Sequence, residues 1–481
     1  MSDEKDKMLL RLEALVEKQT AVIEQQQQTI ASLKTELNRA NTRITELERI
    51  VGPNSSNSSL PPSADLGRPK RVVSPSGRAP GGQKGHKGSS RSMLPVEQVD
   101  QIVPVRPTAC SACQGALTPL DSPPVRFQVT DLPPIKPVVI EYQLHSGRCC
   151  SCQRQTQASL PSGVPPGQFG PNLIALSSYL TTRMRVSHRH FVEFLEQFAG
   201  LKLSLGTVTQ LQRRSSEALA WSAEEVMKTL RQSQVVHVDE TGFRWMGEKA
   251  WVWGASNTQL SAFIVDEHRD TAAAKKLLGD DYKGMLVRDR WHTWSWIPKE
   301  RTQLCWAHLR RDFKSWEDSG GPEGRRLGAA ALRVMKRAFV LWKDFKEGRL
   351  DRRALKEGVE PLKGRMSKLL NRAAKSGSTK ARGQAKKMRK EEESFWRFVE
   401  VEGVEPTNNQ AEREIRPVVC IRKMSLGVQS EAGRLHLQRS LTVGSTLARQ
   451  GRRILDFMRE SVLAFYKQLE LPSALPGPSL A

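Results

Sequence analysis

The sequence predicts a multi-domain α/β protein, in which a mixed α/β core carries a helical insertion and is preceded by a coiled coil, a small β unit and a helical segment. Three observations predict it. The 481 residues are roughly three ordinary domains' worth of chain. Between residues 233 and 313, short β-rich runs alternate with turns and helical patterns, as a mixed sheet requires. Over residues 9–51 an apolar stripe repeats at three- and four-residue spacing, the period of a helix that packs against another helix.

That stripe runs through Leu9, Leu12, Val16, Ile23, Ile30, Leu33, Leu37, Ala40, Ile44, Leu47 and Val51, interrupted only by Gln19 and Gln26. The β-branched residues Val16, Ile23, Ile30 and Ile44 share the a register, which favours a parallel dimer. A helix folded back on its own domain would bury the same stripe. Residues 52–95 turn abruptly to Ser, Pro, Gly and Arg. They read as a flexible basic linker, able to lie along a phosphate backbone without base preference.

The chain has 7 cysteines, too few and too clustered for a secreted disulfide framework. Cys110-x-x-Cys113 and Cys149-x-x-Cys152 offer four thiolates in two knuckles, the donor set of a structural Zn2+ site, within a zinc-binding domain placed at 96–165. Unmetallated cysteines are the alternative, and Cys150 and His145 leave the fourth ligand open. A hairpin from runs 125–129 and 138–144 is expected to close the 35 residues between the pairs.

Helical patterns at 173–184, 190–198 and 208–221, with a short 201–206 connection, give a helix-turn-helix-like segment at 166–232. Strands are expected at 235–239, 250–255, 262–265, 285–287 and 303–305, so residues 233–313 form the first part of the core. A basic helical insertion follows at 314–400, then a closing helix at 401–425 and a C-terminal helical segment at 426–481.

Charge narrows the partners. Lys and Arg number 75 against 51 Asp and Glu, a net charge of +24, which demands an anionic partner. Residues 301–400 alone hold 27 basic and 13 acidic side chains. No apolar run reaches the ~18 residues of a spanning helix, so no membrane role is expected. The mixed charges of residues 2–7 do not resemble a signal peptide, which makes the cytosol the expected compartment.

Three acids stand out as a set. Asp239 and Asp289 each follow an apolar strand and lie 50 positions apart, so they converge if their strands are neighbours. Glu412 lies where Asn408 or Asn409 would cap a short helix stopped by Pro417. Singly, each acid reads as a surface salt-bridge or turn residue. Together they suit two hard divalent cations, Mg2+ or Mn2+, at a phosphodiester displacement site. Asp280 and Asp281 are the nearest substitutes for Asp289, but neither ends an apolar strand. His308, in Cys305-Trp306-Ala307-His308, would either approach the metal-bound phosphate or satisfy a backbone carbonyl, and spacing alone favours the latter. Arg310, Arg311, Arg413, Arg416, Arg422 and Lys423 are candidate DNA-phosphate contacts, with Arg413 and Arg416 favoured because they lie one turn from Glu412. Most tryptophans near the sheet read as core, while Trp291 beside Asp289 is a candidate to stack on an unpaired base.

These residues carry a family resemblance over almost the whole chain. Asn54-Ser55-Ser56-Asn57-Ser58-Ser59 with Pro61-Pro62-Ser63, Gly81-Gly82-Gln83-Lys84-Gly85-His86, and the paired CxxC motifs resemble the linker and zinc-binding blocks of the insertion sequence 66 family of bacterial transposases. His237-Val238-Asp239-Glu240-Thr241, Cys305-Trp306-Ala307-His308-Leu309-Arg310-Arg311 and Asn408-Asn409-Gln410-Ala411-Glu412-Arg413 resemble its catalytic blocks. Arg288-Asp289-Arg290-Trp291 departs from the family's usual Asp-Gly-Tyr. The resemblance implies a ribonuclease-H-like core with an Asp239–Asp289–Glu412 triad holding two Mg2+ ions, which cleaves element ends and joins them to target DNA. It implies as partners double-stranded DNA at terminal inverted repeats and target sites, a second copy through the coiled coil, and accessory transposition proteins. A nucleoid-associated bacterial location goes with it. An inactivated DNA-binding remnant or a nuclease without joining activity would share most of these features.

Overall fold

Where the N-terminal stripe contains neither Pro nor Gly, one uninterrupted helix results. The computed structural model describes residues 2–51, 85–88, 91–120 and 122–477; the linker motifs at 54–63 and 81–84 lie outside the described residues. Helix α1 (Ser2–Val51) runs for 50 residues. Its stripe residues Val16, Ile23, Ile30, Leu33 and Leu37 are all exposed on the single chain.

By internal packing the chain divides into two units, with one boundary between Pro137 and Val138, inside the expected 96–165 domain. In the smaller unit, Leu94 is tied to Gln128 and Arg126 by side-chain bonds of 2.6–2.9 Å. The hairpin expected from 125–129 and 138–144 does not form, since residues 122–145 contain no strand. Pro123, Pro124, Pro133, Pro134 and Pro137 remove N–H donors and fix φ where a ladder would have to continue. In the larger unit a hairpin forms immediately downstream instead. Strands β1 (Ser146–Arg148) and β2 (Gln155–Gln157) pair antiparallel around the second cysteine pair.

Next come α2 (Pro171–Ser178), α3 (His188–Ala199), α4 (Leu205–Ala218) and α5 (Ala220–Arg231). Ser187 caps α3 and Gly200, at φ 66°, ends it in the left-handed conformation that glycine tolerates,. Ser204 caps α4 by accepting from the Thr207 N–H, so the cap precedes the expected Gly206-Thr207. Phe191, Leu195 and Val208 bury the contact between α3 and α4.

The sheet has the order β5-β4-β3-β6-β7. Strands β3 (Val235–Trp245), β4 (Glu248–Ser256) and β5 (Ser261–Asp266) are antiparallel. After α6 (Thr271–Leu278), β6 (Met285–Arg288) returns parallel to β3, and β7 (Thr302–Leu304) lies parallel to β6. All five expected strands are present. Alternation divides the sheet into two faces. On one, Val236, Val238, Trp253 and Ala262 pack with Ala223, Val226 and Leu230 of α5. On the other, Phe243, Val252 and Phe263 pack with later helices.

Those later helices are α7 (Trp306–Ser319), α8 (Gly321–Lys346), α9 (Arg352–Ala373), α10 (Thr379–Arg389), α11 (Arg397–Glu400), α12 (Asn409–Met424), α13 (Glu431–Arg449) and α14 (Ile454–Lys467). From α7 to α11 they enclose their own core around Trp306, Phe313, Trp316 and Phe395. Gly328 lets α8 approach α7 closely, because a Cβ there would meet Phe313 O at 2.5 Å. The last helices pack back on the sheet: Val443 and Leu447 of α13 and Phe457 and Met458 of α14 share one core with α5. The segments 166–232 and 426–481 therefore form one body with the sheet.

Two buried polar contacts give measurable expectations. The Arg288 guanidinium, side chain 5% exposed, pairs with Glu391 at 3.1 Å and so ties the end of β6 to the end of the insertion. Glu391→Ala would leave that cation buried and unpaired, and is expected to cost about 3 kcal/mol in chemical denaturation. His436 is buried against Ser178, Nε2 to Oγ at 2.8 Å, and burial pushes it down to about 3. The unfolded chain takes up a proton there below about pH 6.5 that the folded chain refuses, so folding stability is expected to fall as pH drops from 6.5 towards 3, by at most about 1.4 kcal/mol per pH unit. His436→Gln should flatten that part of the stability–pH curve.

Candidate active site

Strand register decides whether Asp239 and Asp289 meet. Val235, Val236 and His237 pair with Met285, Leu286 and Val287, a constant offset of 50 that sets Asp289, directly after β6, beside Asp239. By parity both acids belong to one face of the sheet: Asp239 goes with Phe243, which packs against Ile415 and Val418, and Asp289 with Val287, the register partner of His237. Asp280 and Asp281 are exposed in the loop before β6, and Asp280 pairs with Lys275 at 3.1 Å.

Glu412 arrives from α12, whose first turn is fixed by Asn408. That side chain does not cap the helix. Instead its Nδ2 donates to Val238 O at 2.7 Å, its Oδ1 meets His237 Nδ1 at 3.2 Å, and its backbone N–H reaches Cys305 Sγ at 3.1 Å. Trp306 N–H donates to Pro406 O at 2.9 Å, so the approach to α12 is strapped to the start of α7. Nor does Pro417 stop the helix, which continues to Met424 with the proline inside it. The missing N–H is tolerated because Ile415 and Val418 bury the face on either side of it,.

His308, one turn into α7, brings Nε2 to 3.3 Å from Glu412 Oε1, and Arg311 lies 3.8 Å from the same oxygen. The backbone-carbonyl role expected for His308 is thus replaced by a contact with Glu412. Glu412 Oε1 is buried and has no partner in hydrogen-bond geometry, so the His308 approach is an electrostatic contact and not a well-aligned hydrogen bond. Cys305 Sγ, a His308 nitrogen and a Glu412 oxygen all lie within 4.8 Å of one another.

Electrostatics separate the acids. Asp239 is raised well above the usual carboxylate range, by burial first and then by Glu240, Asp289 and Glu412. Glu240 is raised to about 7 by burial and by Asp289, against the opposing pull of Arg269. Glu412 is lowered, chiefly by His308 and then by Arg311 and Arg416 despite burial. Burial pushes the Cys305 thiol up to about 11 and His237 down to about 4.

Several neighbours were not singled out by their sequence context. Arg269 Nη2 and Nε both donate to Glu240 Oε1, at 2.7 and 2.9 Å, and the guanidinium lies over the rings of Trp291 at 4.0 Å and Trp251 at 4.7 Å. Trp291 therefore stacks on Arg269 in this structure. Arg290 pairs with Asp312, and Arg288 donates to Asp289 O at 2.8 Å, so the unusual Arg-Asp-Arg context is a set of anchors around the second acid. Of the basic candidates, Arg422 is engaged with Thr241 and Gly242, while Arg310, Arg413, Arg416 and Lys423 are exposed.

The two cysteine pairs, each within its own unit, adopt the same turn. Cys110 N–H bonds Gly115 O and Gln114 N–H bonds Cys110 O; likewise Cys149 N–H bonds Arg154 O and Gln153 N–H bonds Cys149 O, all at 2.9–3.0 Å. Gln114 and Gln153 take matching positive φ of 60° and 58°. Backbone N–H groups of the turn lower the Cys110 and Cys149 thiols, as thiolate ligands require.

Residues 166–435 match the family model described as Transposase IS66 family, and residues 107–153 match the zinc-finger binding domain of transposase IS66. Residues 9–92 match a family of unknown function (DUF6444). A transposase domain with an attached zinc finger is the class of protein these matches define. With more than half of its length matched, the chain belongs to the Transposase IS66 family. It is also 25% identical over 264 residues to Uncharacterized protein y4qI of Sinorhizobium fredii (strain NBRC 101917 / NGR234), covering 49% of this chain and 48% of that protein. The match thus spans about half the length of that relative. Among the described residues no helix is long and apolar enough to cross a membrane.

Asn408→Ala would orphan Val238 O and a buried histidine nitrogen together, and is expected to lower unfolding stability by about 2–3 kcal/mol. Asn409 is exposed, so Asn409→Ala should stay within about 0.5 kcal/mol in the same denaturation series.

Proposed function

We propose that the chain is a DNA transposase of the Asp-Asp-Glu type, cleaving the ends of its element and joining them to target DNA. The observation that carries the reading is the convergence of Asp239, Asp289 and Glu412 from two neighbouring strands and one strapped helix. The sheet order, three antiparallel strands followed by two parallel ones, supports a ribonuclease-H-like core with the helical stretch inserted between the second and third acids.

The residues fit a pair of divalent cations. Burial and the neighbouring carboxyls of Glu240, Asp289 and Glu412 raise Asp239, and Glu412 Oε1 is buried without a hydrogen-bond partner. Asp239, Asp289 and Glu412 would hold two Mg2+ or Mn2+ ions, which when bound supply Lewis-acid stabilisation to the attacking and leaving oxygens of in-line phosphoryl transfer. The chain's own contribution is positioning. Asn408 fixes the turn that presents Glu412, His308 and Arg311 keep that carboxylate ionised, and Arg288 and Arg290 hold the backbone and surroundings of Asp289. Arg413 and Arg416, exposed on α12, would contact DNA phosphates beside the reacting bond.

The matched turns at Cys110–Cys113 and Cys149–Cys152 would hold structural Zn2+ in the zinc finger, and with α2–α5 would bind the terminal inverted repeats. The exposed stripe of α1 would pair two copies in parallel, so that both element ends are handled together. Accessory transposition proteins and a nucleoid-associated, cytoplasmic location complete the reading.

Strand transfer with Mg2+, element ends and a target plasmid tests it. Joined product is expected from the wild type, with Asp239→Ala and Glu412→Ala each reducing it by at least about a hundredfold. Cleavage without joining would favour a nuclease, and DNA binding without either would refute the enzymatic reading.

A further inference from the structure

The proposed cation chemistry uses Glu412 but leaves the thiol beside it without a role. Cys305 is 1% exposed and closes β7 as the N-cap of α7. Two helix starts converge on this residue: the Asn408 N–H at the head of α12 donates to Sγ at 3.1 Å, and Cys305 is itself the N-cap of α7. Beside it lie an imidazole nitrogen and a carboxylate oxygen, with all three donor atoms inside 4.8 Å. A hard-cation site built for Mg2+ alone has no use for sulfur, since Mg2+ takes oxygen ligands in strict octahedral geometry. Sulfur, nitrogen and oxygen donors at one point suit Zn2+, which binds thiolate at about 2.3 Å and imidazole or carboxylate at about 2.0–2.2 Å.

We propose that Cys305, His308 and Glu412 form a second zinc site, distinct from the cysteine finger, whose occupancy withdraws Glu412 from the Asp239–Asp289 pair. On binding, the Cys305 S–H bond breaks, the proton passes to solvent and the sulfur lone pair forms the S–Zn bond. Three protein ligands leave a fourth position for water, so the ion closes no cage and remains exchangeable. His308 then has two exclusive roles: it holds Glu412 ionised in the zinc-free chain and ligates zinc in the loaded one. Zinc binding does not rest on the catalytic reading; only the inhibition that follows from it does.

The test uses the full chain with its finger zinc in place. After dialysis against Mg2+ and trace Zn2+, wild-type protein is expected to retain one zinc more per chain than Cys305→Ser, measured by atomic emission. His308→Gln should weaken the same zinc at least about tenfold in chelator competition. If Cys305→Ser loses its helical circular dichroism, His308→Gln decides alone. Equal retention and equal affinity in wild type and His308→Gln would overturn the site. Zinc should also suppress strand transfer in wild-type protein at concentrations that leave Mg2+ in large excess. Zinc retention with no such inhibition would keep the site and reject its control of Glu412, whereas absent transfer under all conditions would count against the transposase reading alone.

Discussion

One buried side chain sets the distance on which the acidic site depends. Asn408 has four bonding atoms to satisfy, and three of them reach outside its own helix to the backbone of β3, the imidazole of His237 on the same strand, and the sulfur at the end of β7. Glu412 N–H bonds Asn408 O at 3.2 Å, so the first turn of α12 inherits its position from that anchor. In a buried environment each of these bonds is costly to leave unmade. The helix start therefore has one favourable seat on the sheet, and the third acid is presented from it. Asn at this position serves packing geometry where a surface helix would use the same residue as a cap.

The 122 residues between Asp289 and Glu412 would ordinarily make that seat hard to find, because long connections add entropy to every contact they close. The insertion answers this by folding on itself around Trp306, Phe313 and Trp316 and by returning its two ends to adjoining strands. Gln303 on β7 donates to Phe395 O at 3.1 Å and accepts from Phe398 N–H at 2.9 Å. Arg288 on β6 holds Glu391. The chain therefore leaves and re-enters the core at nearly the same place, and the effective loop is short although the sequence separation is long.

This arrangement explains what could be read from the sequence and what could not. The five strands were legible because each is a short apolar run with turn residues on both sides, and the offset of 50 between Asp239 and Asp289 became meaningful once β3 and β6 were neighbours. The 125–145 hairpin misled because its apolar residues have strand character while its prolines forbid the ladder. Pro417 misled in the opposite sense, since local propensity ends a helix that tertiary burial of Ile415 and Val418 sustains. His308, Asn408 and the Arg269 stack between Trp251 and Trp291 carry no periodic signal at all. Their roles depend on partners on other elements, which spacing along one element does not encode.

The charges of the site follow from the same geometry. Burial and mutual repulsion raise Asp239 and Glu240, while His308 and Arg311 keep Glu412 low. The cluster therefore holds carboxyls of opposite tendency, Asp239 and Glu240 shifted towards their protonated forms and Glu412 towards its ionised one. On the proposed reading, a cation entering the site would compete with the proton favoured at Asp239, which would couple its binding to pH,. Around this anionic point the chain carries its net charge of +24, with Arg413 and Arg416 exposed on the helix that bears Glu412. On the proposed reading, a phosphodiester held by those arginines would lie beside this carboxylate cluster and be repelled by it. Divalent cations between phosphate and carboxylates would, on the same reading, offset that repulsion, which is how a basic surface and an acidic cluster could serve the same DNA.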